Sequence, residues 1–475
     1  MFENTIKDIL KRLLVIGILI ISALAILSTF LFPIYKKMPI GFVPVIFGLT
    51  ISVLVYRFPQ KIYKFLDKSF FKIPKKHFLT ILCFLTIFVR LPWIFKPGTP
   101  ISDYLGYYHG AKLLLKGFGF GSGIVYPPFP KCYVAIAFLL FGESARAVSI
   151  LNTICSLMAV LLIYFLFNKS DEKISRLSSI IAALFPSMAV YTGSLGYENF
   201  LFFMLPLMLY FIKRDNINFA NNGEILSFWI VIFGLACGIV SLTHPPYVLL
   251  PFFALIGLWI GGLSFRVSLI KTIISFSLML AVIAPWTYRN YIIYQEFCLI
   301  SANGGYVLLS SNNPHSDGIY CDFDTIYPKL PGENNIAYDK RCGKIATRNI
   351  ISDPIRFISL SIKRISYMWG TDTSSLGCVL DERPKAKLFM SFSTQVYWSM
   401  ILFFWFIWSL KYFSIKEFQP SYILIAILLI FHKFAIHMLL EPISRHHLDI
   451  LPILAFFAAS GFLALSNRNS KRFEI

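Results

Sequence analysis

Charge is what this chain has least of. Asp, Glu, Lys and Arg make up only 14% of its 475 residues, against roughly 25% in a soluble globular chain. With 57% hydrophobic and 17% aromatic residues, that shortage excludes an ordinary soluble domain. Acid is scarcer still than base, and the net charge is +20. The excess does not point to nucleic acid. No zinc-finger or other nucleic-acid-binding signature is present, and Lys and Arg sit mainly in short gaps between apolar runs. Internal repeats and low-complexity tracts are absent. The eight cysteines match no zinc spacing. His446-His447 has no spaced third ligand. The run Gly117–Gly123 lacks the trailing Lys-Ser/Thr of a phosphate loop, so its glycines serve a bend.

What the chain has in quantity is apolar stretches close to the 20 residues needed to cross a bilayer core of about 30 Å. They read as spans at 13–32, 40–56, 78–95, 143–167, 177–195, 200–212, 225–243, 247–262, 272–288, 388–410, 420–440 and 448–465. The first follows Lys7, Lys11 and Arg12, so it leaves the cytoplasm. Its small-residue string Ser22-Ala23-Leu24-Ala25 lies inside the apolar run, which favours an uncleaved anchor over a signal peptide. The gap 57–77 carries Arg57, Lys61, Lys64, Lys68, Lys72, Lys75 and Lys76, the strongest positive-inside signal in the chain. The span at 78–95 then goes out and places Asp103 on the outer side.

Segment 96–142 sets the parity of everything after it. Turn residues lead to Asp103 and an aromatic amphipathic stretch, and a Gly-rich bend leads to Tyr126-Pro127-Pro128. If 126–142 crossed the membrane, Lys169, Lys173 and Arg176 would fall outside. Pro127, Pro128 and Pro130 leave about a dozen helical residues, too few to cross. It therefore reads as an interfacial helix, and Lys213, Arg214, Arg266, Lys271 and the tail Arg468, Lys471, Arg472 all fall inside. The reading is an all-α polytopic membrane protein of about twelve transmembrane helices.

It divides into a transmembrane region at 1–288, a small outer cap at 289–387 and C-terminal helices at 388–475. The cap opens Asn/Gly-rich and holds an amphipathic stretch at 354–369 suited to the headgroup region. Cys83, Cys132, Cys155 and Cys237 read as small hydrophobes. Cys298, Cys321, Cys342 and Cys378 lie in or beside the cap, where an oxidising exterior would permit a Cys321–Cys342 bridge.

Ionisable residues gather at the outer span edges: Asp103, Glu198, His244, Arg289, and the group Glu441, Arg445, His446 and His447. One acid can act as general base while cations stabilise a departing phosphate. Each residue also has a plain structural reading. Asp103 can be an N-cap-like loop carboxylate. Glu198 can be a helix-start acid favoured by the dipole. Arg289 and Arg445 can be snorkelling anchors. His244, beside a diproline, can be a turn residue.

In order, the chain carries Arg90-Leu91-Pro92, then Ser102-Asp103 with Tyr107, Ala111 and Gly117. Tyr126-Pro127-Pro128, Phe141-Gly142-Glu143-Ser144 and Arg146 follow. Further on come Glu198, Pro285-Trp286, Arg289-Asn290, Asn303-Gly304-Gly305, Asn312-Asn313-Pro314, and Glu441 with Arg445. This set resembles the GT-C superfamily of membrane glycosyltransferases, in the branch of protein O-mannosyltransferases and aminoarabinose transferases. The resemblance implies extracytoplasmic juxtamembrane helices and an inverting transfer of sugar from a polyprenyl-phosphate donor. It implies catalytic roles for Asp103 and Glu198. Substrate binding would fall to Tyr107, Lys131, Arg146, His244, Arg289, Asn290, Glu441 and Arg445. The branch often carries Asp-Glu where this chain has Asp103-Tyr104, and its usual basic residue after the small-residue span is His244 here.

The expected function is thus an inverting glycosyltransferase of the cell (inner) membrane, acting on an extracytoplasmic glycan, lipid or protein acceptor, with no metal and no cofactor. A transporter or lipid flippase, or a ligase or polymerase of diphosphate-linked glycans, are the alternatives. A transporter would place its charges or broken helices near the bilayer midplane.

Overall fold

The computed structural model describes residues 2–121, 123–167, 171–373, 376–414 and 420–466. Lys169 and the basic tail Arg468, Lys471 and Arg472 lie outside the described residues. Within them the chain forms α-helices, a few 3-10 turns and connecting loops. Eight helices are long and apolar enough to cross a membrane: Glu3–Tyr35, Pro39–Arg57, Lys75–Phe95, Ala145–Phe167, Phe265–Tyr294, Pro384–Tyr412, Ser421–Leu439 and Arg445–Leu465. Each overlaps an expected span. Phe129–Phe141, Phe228–Thr243 and Pro245–Ile260 are shorter apolar helices.

Two expected spans come out differently. The stretch 177–195 breaks into Glu172–Ala183 and Pro186–Tyr191. Pro186 has no N–H to give, and it holds Phe185 in an extended conformation, so the first helix stops before it. The stretch 200–212 is longer than its apolar residues suggest and runs Glu198–Asn222, ending on Gly223 in the left-handed region. Its polar continuation is sealed by a fully buried ion pair, Lys271 to Asp215 at 2.8 Å.

One large apolar core runs through the bundle. The final helix, Leu451–Ser466, lies against Pro384–Ser414 and Glu172–Ala183. Phe456 stacks on Phe167 at 3.8 Å and Phe457 on Trp408 at 4.0 Å. Phe228–Thr243 lies against Phe265–Tyr294, where Gly234 and Gly238 leave the room that lets the backbones approach.

The interval 96–142 folds as two packed helices, Asp103–Leu115 and Phe129–Phe141. The second has 13 residues, a length of about 20 Å that falls short of the hydrocarbon core. The two share a separate small core that includes Tyr104, Tyr107, Tyr133 and Phe138. The helix Pro354–Trp369 buries Leu360, Met368 and Trp369 on one side. Ile355, Ile358 and Ile362 are exposed, while Arg364 is buried and donates to the carbonyls of Gly318, Ser311 and Met438. It lies against the first helix and against Ser421–Leu439, so it is part of the bundle as well as its edge. The expected Cys321–Cys342 bridge is not formed, and no disulfide joins any cysteines among the described residues. Cys342 is buried in the cap core and Cys321 turns its thiol to the Asp322 carbonyl.

Candidate active site

Asp103 is the first residue of its helix. Ser102 before it, at φ 51°, turns the chain sharply and makes no side-chain cap. The helix N-terminus favours a carboxylate there, and this one caps no backbone. Its Oδ2 accepts from Arg445 Nη2 at 2.8 Å, and its Oδ1 accepts from the Tyr126 hydroxyl at 3.0 Å. Asp103 is 27% exposed and Arg445 22%. Burial, then Asp103, pushes the Tyr126 hydroxyl up to about 12, so Tyr126 stays a donor at any physiological pH.

Arg445 enters from the 3-10 turn Ser444–Ile450 that opens the last helix. It also donates, through Nη1, to the Tyr104 hydroxyl at 3.2 Å. Tyr104 in turn donates to Glu198 Oε1 at 2.7 Å. Asp103 and Glu198, 95 residues apart in sequence, are thus joined through Arg445 and one tyrosine. Burial, then the charge of Glu198, holds the Tyr104 hydroxyl protonated. Glu441 stands four residues before Arg445. Burial pushes its carboxyl up to about 7 against the pull of Arg445, and Asp103 adds to the rise.

Behind this network lies a polar cavity of about 10 Å³, lined by Tyr197, Glu198, His244, Lys433, Arg445, His446 and Asp449; it has the size of about one water molecule. Glu198 Oε2, Asp449 Oδ1 and His446 Nδ1 have no protein partner among the described residues. Lys433 pairs with Asp449 at 2.7 Å, and Tyr247 donates to the same carboxylate. His446 and His447 point apart. His446 stacks on His437, while His447 is bonded to Asp372 at 2.6 Å and to the Met368 carbonyl.

A second basic group stands on the Gly-rich bend. Arg289 donates to the Gly121 carbonyl and to Asn290 Oδ1 at 2.9 Å, and lies 4.5 Å over the Trp286 ring. Asn290 is buried, its amide spent on the Cys298 and Ile300 carbonyls, and so braces Arg289. Lys131 packs its stem on Gly110 and its ammonium beside Gly123. Burial, then repulsion from Arg289, pulls the Lys131 ammonium below its usual range. Two cations pressed together on a glycine-rich turn make an electrostatic site for an anion.

Of the residues singled out from sequence, Asp103, Glu198, His244, Glu441 and Arg445 come together around the first network. Tyr107 backs it through ring contacts with Tyr104, Tyr126 and Tyr197. Arg289, Asn290 and Lys131 form the second group. Arg146 joins neither: it is exposed, with its guanidinium 6.0 Å from the Phe95 ring. Sequence reasoning passed over Tyr104 and Tyr126 as site residues, and over Lys433 and Asp449. The last two carried a usable signal, since a lysine and an aspartate interrupt otherwise apolar runs.

The architecture is a bundle with eight helices long and apolar enough to cross a membrane and two shorter packed helices, the first of which opens on an acid. Residues 125–288, about a third of the chain, match the family model described as dolichyl-phosphate-mannose-protein mannosyltransferase. The oligosaccharyltransferase of Archaeoglobus fulgidus in its apo form aligns with a TM-score of 0.50 at 13% identity, over 85% of this chain and 53% of that one. ArnT from Cupriavidus metallidurans, bound to undecaprenyl phosphate, aligns with a TM-score of 0.42 at 12% identity, over 83% of this chain and 76% of that one. The chain spans about half the length of the oligosaccharyltransferase. No curated protein matches it. At these identities the structural likeness is one of fold. Residues 125–288 are thus similar in sequence to the dolichyl-phosphate-mannose-protein mannosyltransferase family, and the chain is similar in fold to the Archaeoglobus fulgidus oligosaccharyltransferase.

Proposed function

We propose that the protein is an inverting glycosyltransferase that moves a hexosyl or pentosyl group from a polyprenyl-phosphate carrier to an acceptor on the extracytoplasmic face of the cell membrane. The observation that carries this reading is the pairing of the half-buried Asp103 with Arg445 and Tyr126, beside a separate cationic pair on the Gly-rich bend. The phosphate named in the matching family's description is the kind of leaving group such a pair would accommodate.

Asp103 takes the proton of the acceptor hydroxyl or amine as that nucleophile attacks the anomeric carbon. The bond from the anomeric carbon to the phosphate oxygen breaks on the opposite face, and the phosphate leaves as a dianion. Arg289 and Lys131 stabilise the growing charge on it. Arg445 and Tyr126 hold Asp103 in one orientation, with one oxygen each, so the attack geometry is set before substrate arrives. Glu198, reached through Tyr104, steadies Arg445 from the buried side. His244 and Tyr107 shape the wall behind. Asn290 keeps Arg289 aimed at the bend. The acceptor would be a cell-envelope glycan, a lipid or a protein.

The test supplies the purified protein in lipid with radiolabelled polyprenyl-phosphate sugar and a membrane extract as acceptor. Asp103→Asn should lower transfer at least about 100-fold, the range of a lost general base, while thermal stability changes little. Transfer that survives the substitution undiminished would remove Asp103 from the mechanism.

A further inference from the structure

The helix Gly304–Asn312 is tied near each end to the segments that carry the site residues. At one end the Ala302 amide donates to the Ile124 carbonyl at 2.9 Å, two residues before Tyr126. At the other, the Asn312 amide donates to the Leu439 carbonyl at 3.0 Å, two residues before Glu441. The wall between these anchors is made of tyrosines and acids. Tyr306, on the helix, stands with its hydroxyl 3.5 Å from that of Tyr320. Tyr338 donates to Asp324 at 3.3 Å. Tyr306 lies edgewise to Tyr338 at 6.2 Å and over Phe323 at 4.7 Å. Tyr320 is also near enough to Tyr126 to add to the rise of its hydroxyl.

Most of these rings have a packing role. Tyr306 and Tyr338 pack on the small cap core of Leu309, Phe323, Cys342 and Ala346. Tyr320 does not. It is 51% exposed and contributes to none of the apolar clusters. A large aromatic face left open beside a row of hydroxyls and a carboxylate has a specific chemistry. It offers a flat apolar surface to C–H groups, with acceptors and donors at its edge for a ring of hydroxyls. A saccharide presents that combination: one apolar face and a hydroxylated rim.

We infer that Tyr320, Tyr306 and Asp324, continuing from Tyr126, form an acceptor subsite that takes a pyranose-type saccharide. The subsite rests on the proposed transferase reading for its place in a reaction, since it would deliver a sugar hydroxyl to Asp103. It names the acceptor class as a glycan rather than a lipid or a peptide. Tyr320 supplies the stacking face. Asp324 accepts hydroxyls that would otherwise need water. Tyr306 stands against Tyr320, and Tyr126 leads on to Asp103.

Binding can be read without any transfer, so the subsite and the transferase reading fail separately. The full-length protein in nanodiscs is examined by saturation-transfer difference NMR with methyl glycosides of glucose, mannose and galactose as probes. At least one glycoside should be saturated, mostly on its ring C–H protons. Tyr320→Ala should weaken that signal about tenfold and Asp324→Asn severalfold. Polyprenyl phosphate should bind both variants as it binds the wild type, which also shows that they are folded. Absence of saturation with every glycoside, or saturation unchanged in Tyr320→Ala, overturns the inference. Displacement of the glycoside by a polyprenyl-phosphate sugar, but not by polyprenyl phosphate alone, would place the donor's own sugar there and overturn the acceptor assignment. Glycoside binding that fits this pattern in a protein showing no transfer would leave the subsite standing and count against the transferase reading alone.

Discussion

Tyr104 sits between the two acids of the candidate site, donating to Glu198 and accepting from Arg445. As a letter in the chain it is a tyrosine after Asp103, at the position where the resemblance leads one to expect a second acid. In the fold its hydroxyl touches both Glu198 and Arg445. Removing it leaves a buried carboxylate oxygen without a donor, which costs on the order of 1–3 kcal/mol. Tyr104→Phe should therefore lower the melting temperature in detergent by several degrees and reduce transfer. A variant as stable and as active as the wild type would show that Glu198 needs no such link. Glu441 makes a pH prediction at the same scale. An ordinary glutamate titrates near 4.5, and burial raises this one to about 7. The fold therefore favours its protonated form. That stabilisation is complete below about pH 4.5 and is lost as the pH rises through 7. Discounted for partial exposure, it amounts to about 2 kcal/mol. Thermal unfolding of Glu441→Gln, followed from pH 5 to 8.5, should decline less than that of the wild type. Parallel curves would exclude Glu441 as the titrating group.

At the scale of elements, apolar length located each of the eight helices long enough to cross a membrane, because the bilayer imposes that length on the sequence. It failed where another force ended or extended a helix. Pro186 stopped one that hydropathy alone would have continued. The Asp215–Lys271 pair let Glu198–Asn222 run on through residues that look like a loop. Packing between helices was hidden too, because a glycine in an apolar run says nothing about its neighbour. Gly461 is such a case. A Cβ there would press into the Phe404 carbonyl, where the last helix crosses Pro384–Ser414. Gly461→Ala gains helix propensity but forces those helices apart, at a cost of about 1–3 kcal/mol. Its melting temperature should fall, and a rise would mean that the crossing is looser than the structure has it.

At the scale of the whole molecule, the candidate site needs the chain to close on itself. Asp103 comes from the first quarter, Glu198 from the middle and Arg445 from the end. The proposed orientation depends on one short helix, Phe129–Phe141, lying along the surface rather than crossing. A cysteine introduced at Ile101, beside Asp103, should be labelled by an impermeant maleimide from outside intact cells. One introduced at Lys68 should be labelled only after permeabilisation. The reverse pattern would invert the topology and put the acid on the cytoplasmic side.

Hydropathy and charge pattern are enough to establish a helical membrane protein, roughly where its long helices lie, and which acids and bases stand at their ends. Those properties follow from the bilayer, which acts on each segment alone. The ordered motifs also pointed to the GT-C resemblance. Which of those ends meet depends on how the whole fold packs. It joined Asp103 to Arg445 and seated Tyr104 between Arg445 and Glu198, set Arg289 and Lys131 on a separate bend, and left Arg146 aside. A hydrogen bond of 2.7 Å between residues 94 positions apart depends on how several helices pack at once, and no local pattern in the chain encodes that distance.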